Sequence, residues 1–417
     1  MKTLEGVAAA EYVANTLASR PAVVDPAAGK VAARIVEEIR RKGDKALLGY
    51  ARKFDGLAEG QPLKVSREEM AAAWKKTTPG FRRALRLAAK NIRQFAQWQK
   101  PKPWMRTLMP GLKVGQKVEP LASAGCYAPG GRYPLPSSIL MTAIPAQVAG
   151  VQRIQVASPR PAPETLAAAH LLGIENFYRI GGAQAIAAFA YGTESVPAVD
   201  KITGPGNSFV AAAKKLVSFD CAIDFLAGPT EIVYVAHKGD AACIASDLVA
   251  QAEHDPLTLA IFITSSKKLA RAVEKEAFAQ AAGNPIALTS LTNRGLTLIA
   301  KNRAQAMEWA NQIGAEHITI DAEDLRATVS AGSIFVGPYS PQSLGDYASG
   351  PNHTLPTGNV ARFRGGLSVY DYLKLITVQQ VSRAALGKIG PAVIELAEAE
   401  GLHGHANSVR VRLEAER

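Results

Sequence analysis

Cysteine is scarce. The 417-residue chain has three, Cys126, Cys221 and Cys243, and no two stand at CxxC spacing. So sparse and odd a count argues against a disulfide framework and against cysteine-rich zinc folds, and it predicts a reducing compartment. Long apolar runs are missing too. The longest apolar region, around 139–151, is broken by Pro145 and Gln147 and falls short of the ~20 residues that span a bilayer. The first twenty residues carry Glu5 and Glu11 and no apolar stretch of secretory-leader length, so a cytoplasmic protein without a membrane partner is expected. There is no low-complexity tract and no short-period repeat. There is also no GxGxxG, the fingerprint that an ordinary dinucleotide-binding fold carries right after its first strand.

Acidic side chains are outnumbered, 36 against 48 Lys and Arg, for a net charge of +12. A basic excess raises nucleic-acid binding as a possibility. Yet the basic clusters (Arg40, Arg41, Lys42 and Lys45; Arg82, Arg83, Arg86, Lys90 and Arg93) sit among alanines and leucines at amphipathic helical spacing. That is the pattern of a solvated helix face, and no zinc-finger spacing or aromatic-and-basic interleaving accompanies it. The expectation is an enzyme with a basic surface and no nucleic-acid partner. Hydrophobic residues at 47% and charged residues at 20% fit a folded chain with a sizeable core.

The first hundred residues read as mainly helical. Residues 31–54 have helical apolar spacing, Ser66 and Glu69 form a capping-box pattern, and Thr78-Pro79 opens a long helix that Pro101 and Pro103 end. From about residue 120, short β-branched runs alternate with alanine-rich helical segments. Strands are expected at 153–158, 177–180, 201–203, 232–236, 259–264, 317–320 and 333–336, with helices between them. Such alternation predicts an α/β fold of parallel sheets covered by helices, in two blocks near 127–228 and 229–340. The last fifty residues read as a helical tail with a short closing strand at 408–413.

Several segments carry chemistry. Ala128–Pro134, Gly181–Gln184 and Gly204–Asn207 are glycine-bearing stretches at strand-to-helix junctions. There, glycine lets a ligand approach the backbone, and the following helix N-terminus favours an anion. Gln251 and His254 share a helix face by i, i+3 spacing. Glu316-His317 joins a carboxylate to a proton shuttle at a strand start, where a bend is needed to aim both at one site. Gly345–His353 is a turn-rich loop holding Asp346 and His353, and His403-Gly-His405 lies near the end. Four of the seven histidines are candidates for one site. His170 and His237 read as structural, and spacing leaves His403 open between metal ligand and bystander.

In this order the segments resemble histidinol dehydrogenases. The likeness runs through Gly125–Gly131, Gly181–Ile186, Gly204–Asn207, Ala227–Glu231, Gln251–His254, Ala315–His317, Gly345–Gly350 with Asn352-His353, and Glu400–Asn407. It covers nearly the whole chain. The resemblance implies a catalytic pair, Glu316 and His317, and one zinc ion per subunit held by Gln251, His254, Asp346 and His405. His405 is preferred to His403 because it stands two residues before Asn407, as in the family pattern. Substrate contacts are implied for Thr230, His353 and Glu400, together with His317 and the four zinc ligands. NAD contacts are implied for Tyr127, Gln184 and Asn207. Thr230 stands where the family often has serine, so the hydroxyl is kept.

The implied fold is two Rossmann-like domains, one inserted in the other. The expected division is a helical extension at 1–22, a first domain at 23–126 with 229–367, an inserted domain at 127–228 and a tail at 368–417 that reaches the partner of a homodimer. The implied reaction takes L-histidinol to L-histidine through an aldehyde, at an active site shared between subunits. The rival readings are a related dehydrogenase of a sulfonated propanediol, a zinc hydrolase and a nucleic-acid-binding protein. Glu400 suits an amine better than a sulfonate.

Overall fold

The computed structural model describes residues 1–17, 26–130 and 133–415. Gly131 and Arg132 of the first glycine segment, and residues 18–22 of the expected N-terminal extension, lie outside the described residues.

The strands in chain order are β1 (Lys2–Glu5), β2 (Lys64–Val65), β3 (Trp104–Met109), β4 (Leu112–Pro120) and β5 (Ser123–Tyr127). Then follow β6 (Arg153–Ala157), β7 (Asn176–Tyr178), β8 (Lys201–Thr203), β9 (Ala222–Ile223) and β10 (Glu231–Val235). The last are β11 (Leu259–Thr264), β12 (Leu296–Ile299), β13 (His317–Ile320), β14 (Ser333–Val336) and β15 (Leu373–Val381). The chain divides into two compact units. The first is Met1–Gln99 with Leu121–Tyr372, and the second is Lys100–Pro120 with Leu373–Arg417.

The first unit holds two six-stranded sheets. Sheet one has the order β1-β12-β11-β10-β13-β14 and is parallel throughout. Sheet two has the order β2-β7-β6-β5-β8-β9 and is parallel except for β2, an antiparallel edge on β7. The α/β class with parallel sheets, expected from the β–α alternation, is what the chain forms. In sequence, sheet two falls between β1 and the rest of sheet one.

Parallel sheets need cover on both faces, and the core clusters supply it. In β10, Ile232 and Tyr234 pack with Leu248 and Phe262 on one face, while Val233 and Val235 pack with Ile261 and Ile318 on the other. In sheet two, Ile202 packs with Ile39, Leu47 and Phe189, and Val156 and Phe177 pack with Met70, Ile92 and Met141. The apolar region too short for a bilayer becomes the helix Pro136–Ala149, buried nearly all round in that second cluster. That is the ordinary fate of a helix with no polar face. Among the described residues no helix is long and apolar enough to cross a membrane.

Local signals in the first hundred residues hold. The Ser66 hydroxyl accepts from the Glu69 N–H, and the Thr78 hydroxyl from the Phe81 N–H. The stretch of helical apolar spacing at 31–54 lies in two helices, Pro26–Lys42 and Asp44–Asp55, which meet at Gly43 where φ is +53°. Two further differences arise at the ends. Residues 2–5, expected to be helical, form an edge strand that pairs with β12 from Lys2↔Leu296 to Glu5↔Ile299. Four residues carry too little periodicity to announce this, and the long-range ladder decides it.

The second unit contains the antiparallel sheet β15-β4-β3 and the helices Arg383–Ala399 and His403–Glu414. The expected closing strand at 408–413 is therefore helix. Its alternation of apolar and polar residues fits a strand, but Val409 and Leu413, four apart, both lie over Gly390 of the preceding helix. The β3–β4 hairpin, turning at Pro110-Gly111, went unread although that dipeptide is a turn signal.

Candidate active site

Both large sheets end on one cleft of about 570 Å³ within the first unit. Sheet two presents the C-terminal ends of its central strands. Pro129 follows β5, and Pro205, Gly206 and Asn207 follow β8. Strand order reverses between β5 and β8, and such a switch point is where parallel sheets form a ligand crevice. Sheet one presents the opposite, N-terminal ends of its adjacent strands β10 and β13. Thr230 precedes β10, and Glu316 and His317 open β13. At the other end of sheet one, Arg303 pairs with Asp321, Glu323 and Asp324. The helices starting there are capped by their own Asp240, Ser266 and Asn302.

The catalytic candidates meet in this cleft. Glu316 lies in a bend just before β13, so its side chain joins that of His317 instead of pointing to the opposite face. The His317 Nδ1 is 3.7 Å from the Glu316 carboxylate, and the Nε2 is 3.5 Å from Asp346. His317 Nδ1 also lies 3.3 Å from the Glu231 carbonyl. Glu316 accepts from the Glu231 N–H at 3.0 Å and from the Thr230 hydroxyl. That hydroxyl is also 3.1 Å from Gln251 Oε1. With a single proton, it donates to one of the two oxygens at a time.

Gln251 lies in the last turn of the helix Ala241–Ala252, and His254 follows in the turn beyond it, its N–H donating to the Gln251 carbonyl. Asp346 sits in the short helix Gln342–Tyr347, and its carbonyl is 2.8 Å from His353 Nδ1. Thr230, Gln251, His254, Asp346 and His353 all line the cleft.

Electrostatics single out the same group. Burial pushes Glu316 up to about 7, against the pull of His317 and the Thr230 hydrogen bond. Burial works to lower His317, but the carboxylates of Glu316 and Asp346 outweigh it and raise the imidazole well above its usual range. Burial works to raise Asp346, yet His317, His353 and His254 together hold it low. His353 is lowered, chiefly by burial. An imidazole between two carboxylates, buried in a cleft, is proton-transfer machinery.

The Asp346 carboxylate thus faces His317 directly and feels the charge of His353 and His254. With the Gln251 amide oxygen, His254 and Asp346 offer N and O donors that fit a zinc ion. The first unit supplies these three donors, and among the described residues no three His, Cys, Asp or Glu stand together at metal-ligand spacing. The remaining expected ligand, His405, and the expected substrate contact, Glu400, belong to the second unit, where both are exposed.

The residues expected on the dinucleotide side have other work. Tyr127 and Gln184 are buried; the Tyr127 hydroxyl accepts from the Gly182 N–H at 3.1 Å, and Gln184 Nε2 donates to Asp55 at 2.9 Å. Asp55 also accepts from the Gly181 N–H. The helix N-terminus after Gly181 is therefore already filled by an internal carboxylate and a hydroxyl. Asn207 lines the cleft and caps the helix Ser208–Val217, its Oδ1 accepting from Phe209 and Val210.

Sequence reasoning missed Asp55, which is the last residue of its helix and carries no local signal. It also missed the buried pair Lys214–Asp224. His170 and His237, read from the sequence as structural, do not line the cleft. His170 stands beside Trp74, and His237 pairs with Ser265.

Comparison with known proteins agrees with this geometry. The family model described as histidinol dehydrogenase matches residues 18–413. A histidinol dehydrogenase of Methanosarcina mazei is 45% identical over 398 residues, 92% of each chain. That of Methanosarcina barkeri is 44% identical over 99% of this chain and 97% of its own. A crystal structure of histidinol dehydrogenase from Elizabethkingia anophelis superposes with a TM-score of 0.94 at 34% identity, covering 99% of this chain and 98% of that one. With its sequence, fold and buried acid–base cluster in agreement, this chain belongs to the histidinol dehydrogenase family of oxidoreductases.

Proposed function

We propose that the protein oxidises L-histidinol to L-histidine through L-histidinal, with NAD taking up hydride twice and zinc as resident metal. The observation that carries this reading is the placement of His317 between Glu316 and Asp346, in a cleft that faces the switch point of sheet two. The cleft volume suits a small substrate beside a dinucleotide end.

Gln251, His254 and Asp346, with the partner subunit's His405, would hold the zinc. When bound, the metal supplies positive charge and a template for the nitrogens of substrate. The chain's own residues do the rest. His317, in its neutral form, accepts the proton of the alcohol as hydride leaves the carbinol carbon. Glu316, held by the Thr230 hydroxyl and the Glu231 N–H, takes a proton from water as that water attacks the bound aldehyde. A carboxylate whose affinity for protons is raised by burial is suited to that exchange. His353 contacts substrate, and Glu400 of the partner subunit pairs with its cationic amine. A cleft closed around the aldehyde protects it from side reactions.

The test is NADH formation from L-histidinol, other amino alcohols and a sulfonated propanediol, with and without chelator. Preference for L-histidinol and loss of activity with chelator are expected. Preference for the sulfonate, or indifference to chelator, would overturn the substrate or the metal assignment. In the same assay His317→Asn lowers turnover by ~10²-fold or more, as loss of a general base does. Glu316→Gln impairs the aldehyde step more than the alcohol step. Equal loss of both steps removes the water-activating role.

A further inference from the structure

The helix Gln342–Tyr347 carries Asp346 to the acid–base cluster, yet a helix of six residues has little stability of its own. Its place is set by what its inner face touches. Gln342 and Asp346 are four apart and share that face. On β13, His317 and Thr319 are two apart and likewise point to one side. Asp346 stands 3.5 Å from His317 Nε2, and Gln342 Nε2 donates to the Thr319 hydroxyl at 3.1 Å. Four helical residues rise about 6 Å and two strand residues about 6.6 Å, so the two contacts keep step. Between them Gly345 lies against Phe335, the ladder partner of Thr319. A Cβ on Gly345 would stand 2.7 Å from the Phe335 ring, which stacks on His317 with centroids 5.9 Å apart.

A second observation concerns what this glutamine costs the fold. Gln342 and Thr319 are each 1% exposed, and Gln342 does not line the cleft. Its Oε1 is buried with no hydrogen-bond partner among the described residues. An unpaired buried acceptor is destabilising, and such an exception requires an explanation. An apolar side chain of similar volume would fill the same space without that cost. What glutamine adds is one directed bond to β13 at the near end of the helix. The far end is tied by Asn91, whose Nδ2 donates to the Ala348 carbonyl at 2.8 Å.

We infer that Gln342 is a positioning residue, whose hydrogen bond to Thr319 sets the helix at the height where the Asp346 carboxylate meets His317 and the zinc. It acts through Asp346 and takes no part in the chemistry itself. The inference rests on the reading above, in which Asp346 serves both His317 and the metal. Groups that orient a metal ligand from behind commonly contribute about 10–100-fold to metal affinity or activity.

The test compares the parent protein with Gln342→Met, Thr319→Val, the double variant and Thr319→Ser. It reads kcat and the KM for NAD with L-histidinol, zinc affinity by chelator competition, and thermal midpoints with and without chelator. Gln342→Met and Thr319→Val each lower kcat and zinc affinity about tenfold or more. The KM for NAD stays unchanged, because the helix lies on sheet one. The double variant loses no more than either single one, since both remove the same bond. Its midpoint in chelator holds or rises, because replacing both partners by apolar groups leaves no new orphan. Thr319→Ser keeps the hydroxyl and keeps kcat. Unchanged kcat and zinc affinity in the double variant overturn the inference. So does a loss of kcat that follows a fall of the midpoint in chelator, which makes the contact merely structural. A parent protein that neither oxidises L-histidinol nor binds zinc overturns the underlying reading instead, and is distinguishable because no substitution is involved.

Discussion

Glu316 and His317 are adjacent, and in a regular strand they would face opposite ways. They meet because β13 begins only at His317, leaving Glu316 in the bend with its carbonyl bonded to the Ser333 N–H. At this scale burial sets the chemistry, since it raises the carboxyl of Glu316 and sharpens every charge around it. A second carboxyl feels burial with little compensation. Asp247 lies one turn before Gln251, and burial pushes it from 3.8 up to about 6. A raised carboxyl favours the folded state fully below its unfolded value. That contribution is lost as pH rises through the folded value, here between about pH 4 and 6. Asp247→Asn therefore stabilises the protein at pH 7–8 by about 2–3 kcal/mol relative to its effect near pH 4. Denaturant unfolding of both forms across that range checks this, and a pH-independent difference would refute it.

At the scale of elements, the turn after β8 is held by a buried ion pair. Lys214 Nζ donates to the Gly204 carbonyl at 3.0 Å, Asp224 accepts from the Gly204 N–H at 2.8 Å, and the two side chains pair with each other. Gly204 has φ +118°, and a Cβ there would stand 2.0 Å from the Tyr127 carbonyl oxygen, so no other residue fits. Both peptide groups of this glycine are thus clamped, and Pro205–Asn207 is fixed as a wall of the cleft. Breaking one side of a buried pair leaves an uncompensated charge. Lys214→Met is expected to cost about 3–5 kcal/mol, while Lys214→Met with Asp224→Leu recovers most of it. The double variant still lacks both partners of Gly204, so its affinity for NAD falls about tenfold, as expected when a binding loop loses its positioning. Recovery of stability together with full NAD affinity would show that the pair does not position the loop.

At the scale of the whole molecule, the two parallel sheets bring opposite strand ends to one cleft, C-terminal from sheet two and N-terminal from sheet one. Sheet two contributes the wall formed by Pro129 and Pro205–Asn207, and sheet one the acid–base cluster. Glu400 and His405 stand in the second unit. The reading in which they serve a neighbouring subunit has a direct test. His317→Asn and His405→Asn chains, each inactive alone, are co-expressed. Random pairing into a two-fold dimer gives one intact site in each mixed dimer, and about a quarter of parental activity returns. No recovery would mean that each chain completes its own site.

The sequence by itself determined the α/β class, because β-branched runs alternating with helical segments have a local period. It also determined the candidate site as a set, because the ordered resemblance joins residues that spacing leaves scattered. Local caps such as Ser66 and Thr78 were legible for the same reason, being contacts within a few residues. Tertiary structure alone decided that residues 2–5 are a strand and residues 408–413 a helix, since long-range pairing and the packing of Val409 and Leu413 override a short ambiguous pattern. It alone showed that Asp55 fills the helix start after Gly181 and that Lys214 and Asp224 clamp Gly204. These are relations between residues far apart in sequence, and burial and hydrogen bonding across the fold leave no periodic trace in the chain.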